Sequence, residues 1–345
     1  DGDHYGSIIW ADNIPYNLIN NKFYENNGVK KELSFFIKLK ETVSTKTSIF
    51  LDAQIRTLNY STKGNIKGPE IFKVNDSFTF FNPKAGIIFN INDLNNLYFS
   101  YAKGKREPNR SDYKNGNPLS ETLNDFEFGW RYFNRNINIK ANLYWMEYFD
   151  QLVLTGAIDD VGLPIRENIG NSRRVGLEID SSINLNKSLS WIFNFSLSSN
   201  KNLDYFFKRD GILKSLGKTN LSFSPNLISG SQLNYKISKN LNFILLSKYV
   251  SKQYMGNIDS KLSILPSYLI SDINFSYIIE PFKILKKISF SFLVNNFLNK
   301  EYISNGYFYT FDDTWSDPNL IKTIEGAGFY PQAKRNFLIG ISILF

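Results

Sequence analysis

The chain has 345 residues, 42% of them hydrophobic and 16% aromatic, with no cysteine and a formal net charge of +8. A mean hydropathy of -0.27 and the lack of any run of about 18 apolar residues exclude a helical membrane protein, and the missing cysteines exclude a disulfide frame or a thiolate metal site. Lysine and arginine are spread over turns and alternate strand positions rather than massed in a patch, so no nucleic-acid partner is expected.

Residues 1–29 are rich in Asn and Tyr, carry Gly2, Gly6, Pro15 and Gly28, and read as a remnant of an extracellular loop; the opening Asp-Gly-Asp-His-Tyr-Gly has neither the basic start nor the apolar stretch of a signal peptide, so a processed or missing beginning is expected. From residue 30 to 345 the pattern changes to repeated alternation with a period of two, the mark of β-strands with one apolar and one polar face. Strands are predicted at about 31–42, 46–60, 78–92, 96–104, 121–134, 136–152, 169–183, 188–203, 218–236, 240–255, 264–279, 286–298 and 334–345. Ile137, Ile139, Ala141, Leu143 and Trp145 oppose Asn138, Lys140, Asn142 and Tyr144; Val175, Leu177 and Ile179 oppose Gly176, Glu178 and Asp180. A cation facing lipid at mid-membrane costs about 2–4 kcal/mol. Lys140, Glu178 and Asp180 therefore define the wet face, and a one-residue register slip would turn all of them into lipid.

The connections alternate in length. Short polar turns fall near 43–46, 93–96, 134–136, 184–188 and 237–240, with a somewhat longer one at 279–286, whereas long segments cover 61–77, 104–120, 154–168, 204–218, 255–265 and 299–333. That asymmetry predicts an all-β transmembrane antiparallel barrel, with turns on the periplasmic side and loops outside. Several strands exceed the nine to eleven residues that cross a bilayer, so they are expected to continue outside as β-ribbons. The chain ends on Phe337, Ile339, Ile341, Ile343 and Phe345 in strict alternation. A predicted count of about thirteen strands is odd, whereas a closed bacterial barrel needs an even number; either a strand is missed or split, or the chain is part of a larger barrel, which the loop-like residues 1–29 favour.

The order of motifs resembles TonB-dependent outer-membrane receptors, in the style of those from Bacteroidota. Val294-Asn295-Asn296-Phe297-Leu298-Asn299-Lys300-Glu301-Tyr302 and the close from Tyr330 to Phe345 carry the likeness, as do Tyr98-Phe99-Ser100-Tyr101-Ala102 followed by Arg106-Glu107-Pro108-Asn109-Arg110, Glu121 to Gly129, Tyr144 to Val153, and Asn168 to Ser172 with Gly176-Leu177-Glu178. The resemblance covers about residues 78–345. It implies a 22-stranded barrel of which this chain holds roughly the last thirteen strands, with the N-terminal plug and the rest of the barrel outside it. It further implies active uptake of a scarce ligand, a ferric siderophore or similar chelate being favoured, powered by the TonB complex through that plug. No cofactor and no catalytic residues are implied. A passive porin, or a structural or partner-binding barrel in a larger assembly, would share the same alternation.

Arg106, Arg110 and Tyr113 in one loop, and Tyr307, Tyr309 and Trp315 in another, are the candidate ligand contacts: basic groups beside tyrosines suit an anionic chelate, and rings offer flat faces. Contact with lipopolysaccharide phosphates competes with this reading of the basic loop. Glu127, Arg131, Lys140, Arg174, Glu178 and Asp180 are expected in the lumen, where the resemblance implies contact with the plug. Phe337 and Phe345 are expected to form the terminal signal read by the barrel-assembly machinery. His4 beside Asp1 and Asp3, and the cluster Asp312, Asp313 and Asp317, read as solvated loop groups; no metal site is expected.

Overall fold

The computed structural model describes residues 2–10, 12, 19–65, 71–158, 164–279, 286–317 and 319–345. Thirteen long strands follow one another as neighbours in one antiparallel sheet: β2 (Lys22–Thr42), β3 (Thr47–Asn65), β4 (Ile71–Asn92), β5 (Asn95–Arg106), β6 (Glu121–Phe133), β7 (Ile137–Phe149), β10 (Ser172–Asn184), β11 (Leu189–Arg209), β13 (Leu227–Lys236), β14 (Leu241–Val250), β17 (Tyr268–Ile279), β18 (Lys287–Asn295) and β21 (Asn336–Leu344). The remaining strands lie among the connections: β8 (Leu152–Ile158) with β9 (Pro164–Asn168), β12 (Ile212–Asn220) on β11, β15 (Gln253–Tyr254) with β16 (Ile264–Leu265), and β19 (Ile303–Asp313) with β20 (Lys322–Pro331). Each of the thirteen predicted strands has its counterpart.

A fourteenth strand, β1 (Gly2–Ser7), pairs antiparallel with residues 22–28 of β2. Its Gly, Asp and His content gives no strand signal, and only the partner reveals it. With β1 the path of the main sheet has fourteen strands among the described residues. Among the described residues the sheet still begins at β1 and ends at β21 without those two edges meeting.

The five short turns share one device. The side-chain oxygens of Ser44, Asn92, Asn134, Asn186 and Ser238 each accept from the backbone N–H groups two and three residues on. Asn and Ser make such local turns because their short polar side chains mimic a backbone carbonyl. The predicted strand 218–236 is broken between β12 and β13 by residues 221–226, where Phe223 takes φ 50° and Pro225 has no N–H to give a ladder. Most of the expected long loops are instead β-ribbons; β11 turns into β12 at Asp210-Gly211, both with positive φ (55° and 74°), as a tight hairpin requires.

The register also fixes the tilt. One row of directly opposed residues runs Lys40, Phe50, Gly86, Ser100, Glu127, Tyr144, Gly176, Ser198. It starts two residues above the lower end of β2 and finishes nine above the lower end of β11, seven strands later. A rise of about one residue (roughly 3.3 Å) per strand spacing of about 4.8 Å is a tilt near 35°, the value expected of a membrane barrel.

Opposed residues share a face, so this row and its parity define one side of the sheet. The other side carries Leu39 to Leu33 on β2, Ile49 to Ile55 on β3, Ile139 to Trp145 on β7 and Trp191 to Leu197 on β11 at every second position. Ile37 is 70% exposed, Leu143 52% and Ile339 77%. Among the described residues no second sheet covers these rows. About nine residues deep at a 35° tilt, the apolar band is roughly 24 Å tall, which matches the lipid-facing band of outer-membrane barrels.

Candidate functional site

The polar face carries all six predicted wall charges. Arg131 stands opposite Lys140, Lys140 opposite Asp180, Glu178 opposite Asn142, Arg174 opposite Met146 and Glu127 opposite Ser100. Arg131 lies 4.8 Å from the Tyr98 ring centroid, and Tyr98 donates to Asn142 Oδ1 at 3.0 Å. The Tyr98 ring rests on Gly129 directly across the ladder, so closely that a Cβ there would fall 1.8 Å from Tyr98 Cε1. Phe50 on Gly86 and Tyr144 on Gly176 repeat the arrangement. Glycine lets these rings lie flat along the wall.

Above the apolar band, the segment after β5 folds inward across three strands. Glu107 accepts from Lys30 at 2.6 Å and from Arg56 at 3.2 Å, and Arg56 also holds Glu32 at 2.8 Å. Arg110 donates to Asn26, which is 2% exposed. Tyr113, 4% exposed, donates to Asp76 Oδ2 at 2.6 Å and stacks on Tyr60 at 5.7 Å. Burial alone would raise the Glu107 carboxyl, but hydrogen bonds from Lys30 and the backbone with the Arg56 charge hold it below the usual range. Burial, then the hydrogen bond to Asp76, pushes the Tyr113 hydroxyl well up. Residues 107–113 thus latch onto the inner wall of β2–β4. Within the latch, Glu107 Oε2, Arg110 Nε and Asp112 Oδ1 are buried without a hydrogen-bond partner among the described residues.

The other connections pack into one cap. Val153, Ile169, Tyr205 and Leu221 form one buried cluster; Met255, Leu265 and Phe308 form a second; Ile258 touches both. Asn257, 1% exposed, ties the two together: its Nδ2 donates to Leu154 O at 2.8 Å and its Oδ1 accepts from Ser222 N at 2.9 Å. Glu325 accepts from Arg209 and Ser260. These hydrogen bonds hold its carboxyl below the usual range although burial opposes them.

On β19 the two faces differ. Phe308 is buried, whereas Tyr307, Tyr309 and Phe311 point the other way, opposite Gly328, Gly326 and Ile324. Their rings stack in sequence with Tyr330 at one end and Trp315 at the other, at centroid separations of 6.0, 6.2, 6.3 and 5.7 Å. The predicted residues Tyr307, Tyr309 and Trp315 therefore belong to one exposed aromatic stack. Arg106, at the end of β5, donates to Glu121 at 3.3 Å, and Arg110 and Tyr113 sit in the latch. The β8–β9 hairpin stands between the two groups, β9 on the 112–115 turn and β8 on β19. Asp76, Asn26, Glu107 and Asn257 carry no local signal in the sequence; each acquires its role from a partner between 35 and 103 residues away.

His4 lies in β1 opposite Asn26, Asp3 accepts from Asn27 at 2.6 Å, and Asp1 is outside the described residues. Asp312 accepts from Thr323 Oγ1, and Asp313 and Asp317 cap turns through Ser316 N and Asn319 N. Phe337 and its alternate neighbours line the apolar side of β21, and Phe345 follows the strand, 71% exposed.

Residues 3–297 match the family described as TonB dependent receptor-like, beta-barrel. No curated protein matches the sequence. Among solved structures, the siderophore receptor PiuA from Acinetobacter baumannii is similar, with a TM-score of 0.69 and 15% identity over 93% of this chain and 44% of that one. The ferric yersiniabactin uptake receptor FyuA from Yersinia pestis has a TM-score of 0.66 and 15% identity over 93% and 46%. The copper transporter OprC has a TM-score of 0.61 and 16% identity over 93% and 48%. The chain spans less than half the length of these three structures.

Proposed function

Because this chain belongs to the TonB-dependent receptor family and matches its outer-membrane β-barrel domain, we propose that it is the C-terminal part of a receptor for energised uptake of a scarce ligand. The side bearing β1, β8–β9, β19–β20 and the latch faces outward from the cell; the five short turns face the periplasm. The observation that carries this reading is the pairing of a charged, flat-walled inner face with connections that pack together above the apolar band. A passive pore has no use for a cap cross-linked by Asn257, Glu325 and two apolar clusters.

In this proposal Glu127, Arg131, Lys140, Arg174, Glu178 and Asp180 hold the N-terminal plug, through which the TonB complex delivers energy. The unspent polar atoms of Glu107, Arg110 and Asp112 favour a further contact inside the mouth, since buried polar groups ordinarily find partners. Arg106 receives the anionic side of a ferric chelate, with Arg110 and Tyr113 holding the latch beside it rather than touching the ligand, and Tyr307, Tyr309 and Trp315 meet its flat side. Phe337 and Phe345 serve barrel assembly, and no bond-making step is assigned. The test is growth of a deletion strain under iron limitation on single defined ferric chelates, with energised and de-energised uptake of the labelled chelate. Loss of growth on one chelate, with uptake that stops on de-energising, supports the proposal. Normal growth on every chelate overturns the iron reading, and uptake that survives de-energising favours a porin.

A further inference from the structure

The latch meets the wall through two cations and two acids. Glu107 Oε1 accepts from Lys30 at 2.6 Å and from Arg56 Nη2 at 3.2 Å. Arg56 also grips Glu32, through Nε at 2.8 Å and Nη2 at 3.1 Å, and Lys30 lies 3.5 Å from Glu32 Oε2. Lys30, Glu32 and Arg56 belong to the wall itself, on the inward rows of β2 and β3: Lys30 stands opposite Tyr60, Glu32 opposite Leu58 and Arg56 opposite Ser34. Glu107 alone comes from outside the sheet, from the segment that follows β5. Without it the wall keeps two cations against one carboxylate. A recessed site with an excess of positive charge attracts an anion, so the charge balance here depends on the latch being closed.

Glu107 sits in this place much as a free anion would. One carboxylate oxygen, Oε1, bridges both cations, while Oε2 is buried without a hydrogen-bond partner among the described residues. The Glu107 side chain is 11% exposed and that of Arg56 18%, so water screens their contact only in part. Lys30 is 45% exposed and leaves an approach from the mouth. The latch itself fits imperfectly. Arg110 donates to Asn26, yet Arg110 Nε and Asp112 Oδ1 are also buried and unpartnered among the described residues. Each such atom costs stability in the closed position, which brings a lifted position within reach.

We propose that Lys30 and Arg56 form a carboxylate-binding site that Glu107 occupies while the latch is closed, and that a carboxylate of the incoming ligand takes its place and lifts residues 107–113 from β2–β4. Exchange of one carboxylate for another leaves the number of ion pairs unchanged, so the ligand's remaining contacts decide which arrangement wins. Arg56 keeps Glu32 throughout, which holds the guanidinium in position. Tethering gives Glu107 an effective concentration in about the millimolar range or above, so a ligand with a single carboxylate competes poorly. A ligand with several has a second partner in Arg106, the chain neighbour of Glu107, whose side chain is exposed. This rests on the uptake reading given above and narrows its ligand to a polycarboxylate.

The test uses the full receptor purified in detergent micelles, with calorimetric binding of tricarballylate and of inorganic phosphate, and amide exchange over residues 107–116 with and without tricarballylate. Glu107→Gln removes the internal competitor at nearly constant size. With two partly exposed ion pairs no longer to be broken, it should bind tricarballylate about tenfold more tightly than the parent. Saturating tricarballylate should quicken exchange over 107–116 in the parent; in Glu107→Gln exchange should be fast already and stay unmoved. Adding Arg56→Gln to Glu107→Gln should abolish the gain, and heat-modifiable gel migration verifies assembly of each variant. A Glu107→Gln variant that binds tricarballylate no more tightly than the parent overturns the proposal, as does binding to the parent that leaves exchange unchanged. Equal affinity of the glutamine variant for phosphate also overturns it, since the site would then take any anion. Binding and exchange are read without energy or transport, so their failure is separate from failure of the growth and uptake assay.

Discussion

Leu143→Arg and Ser196→Arg place the same guanidinium on opposite faces of the wall. Leu143 lies in the apolar band, 52% exposed, between Phe128 and Leu177 on the flanking strands. There an arginine meets hydrocarbon, at a cost of about 2–4 kcal/mol near mid-membrane, and loss of the leucine's lipid contact adds roughly 1–2 kcal/mol. Ser196 faces inward, opposite Glu178 and Ile228. An arginine there gains a carboxylate neighbour and keeps access to water, so the change should stay within about 0.5 kcal/mol of neutral. Denaturant titration of the receptor refolded in lipid vesicles, read by gel migration and tryptophan fluorescence, measures both. If Ser196→Arg costs about 2 kcal/mol or more while Leu143→Arg is neutral, the faces are inverted and the membrane reading fails.

Gly129→Ala drives a methyl group into the Tyr98 ring and should cost about 1–3 kcal/mol, with most of the loss recovered when Tyr98→Ala is added; the same titration reads both. Tyr113→Phe leaves Asp76 without its donor and should loosen the latch by about 1–3 kcal/mol, visible as faster amide exchange over residues 107–116. Asn257→Leu leaves Leu154 O and Ser222 N unpaired inside the cap, and should cost about 2–4 kcal/mol and expose β8 and β15 to protease. Glu107 is held below its ordinary value of 4.5, so its ion pairs stabilise the latch at neutral pH and are lost as pH falls below 4.5. Exchange over 107–116 should therefore quicken on acidification below that value, and Glu107→Gln should abolish the acid-dependent part.

The alternation of Ile137 to Trp145 and of Phe337 to Ile343 was enough to assign strands and faces, because a period of two is a property of each segment by itself. Asn92, Asn134 and Asn186 marked turns for the same reason: their hydrogen bonds reach only two or three residues along the chain. What lay outside a local window could not be read there. Gly2–Ser7 becomes a strand only through residues 22–28, and the break at 221–226 is held by Leu221 in a core built from β8 and β11. Arg110 and Tyr113 look like free loop groups in the sequence, yet register brings Asn26 and Asp76 beneath them. Phe308 and Tyr309 are adjacent aromatics of equal appeal; only the packing of Met255 and Leu265 decides that the first is buried and the second exposed. The encounter of Glu107 with Lys30 and Arg56 likewise depends on how β2 and β3 are aligned. Sequence alone determined the thirteen long strands, their two faces and the membrane they suit, since these follow from neighbours along the chain. Tertiary structure decided the tilt, the latch with its ion cluster and the cap, since each depends on which distant residue ends up alongside.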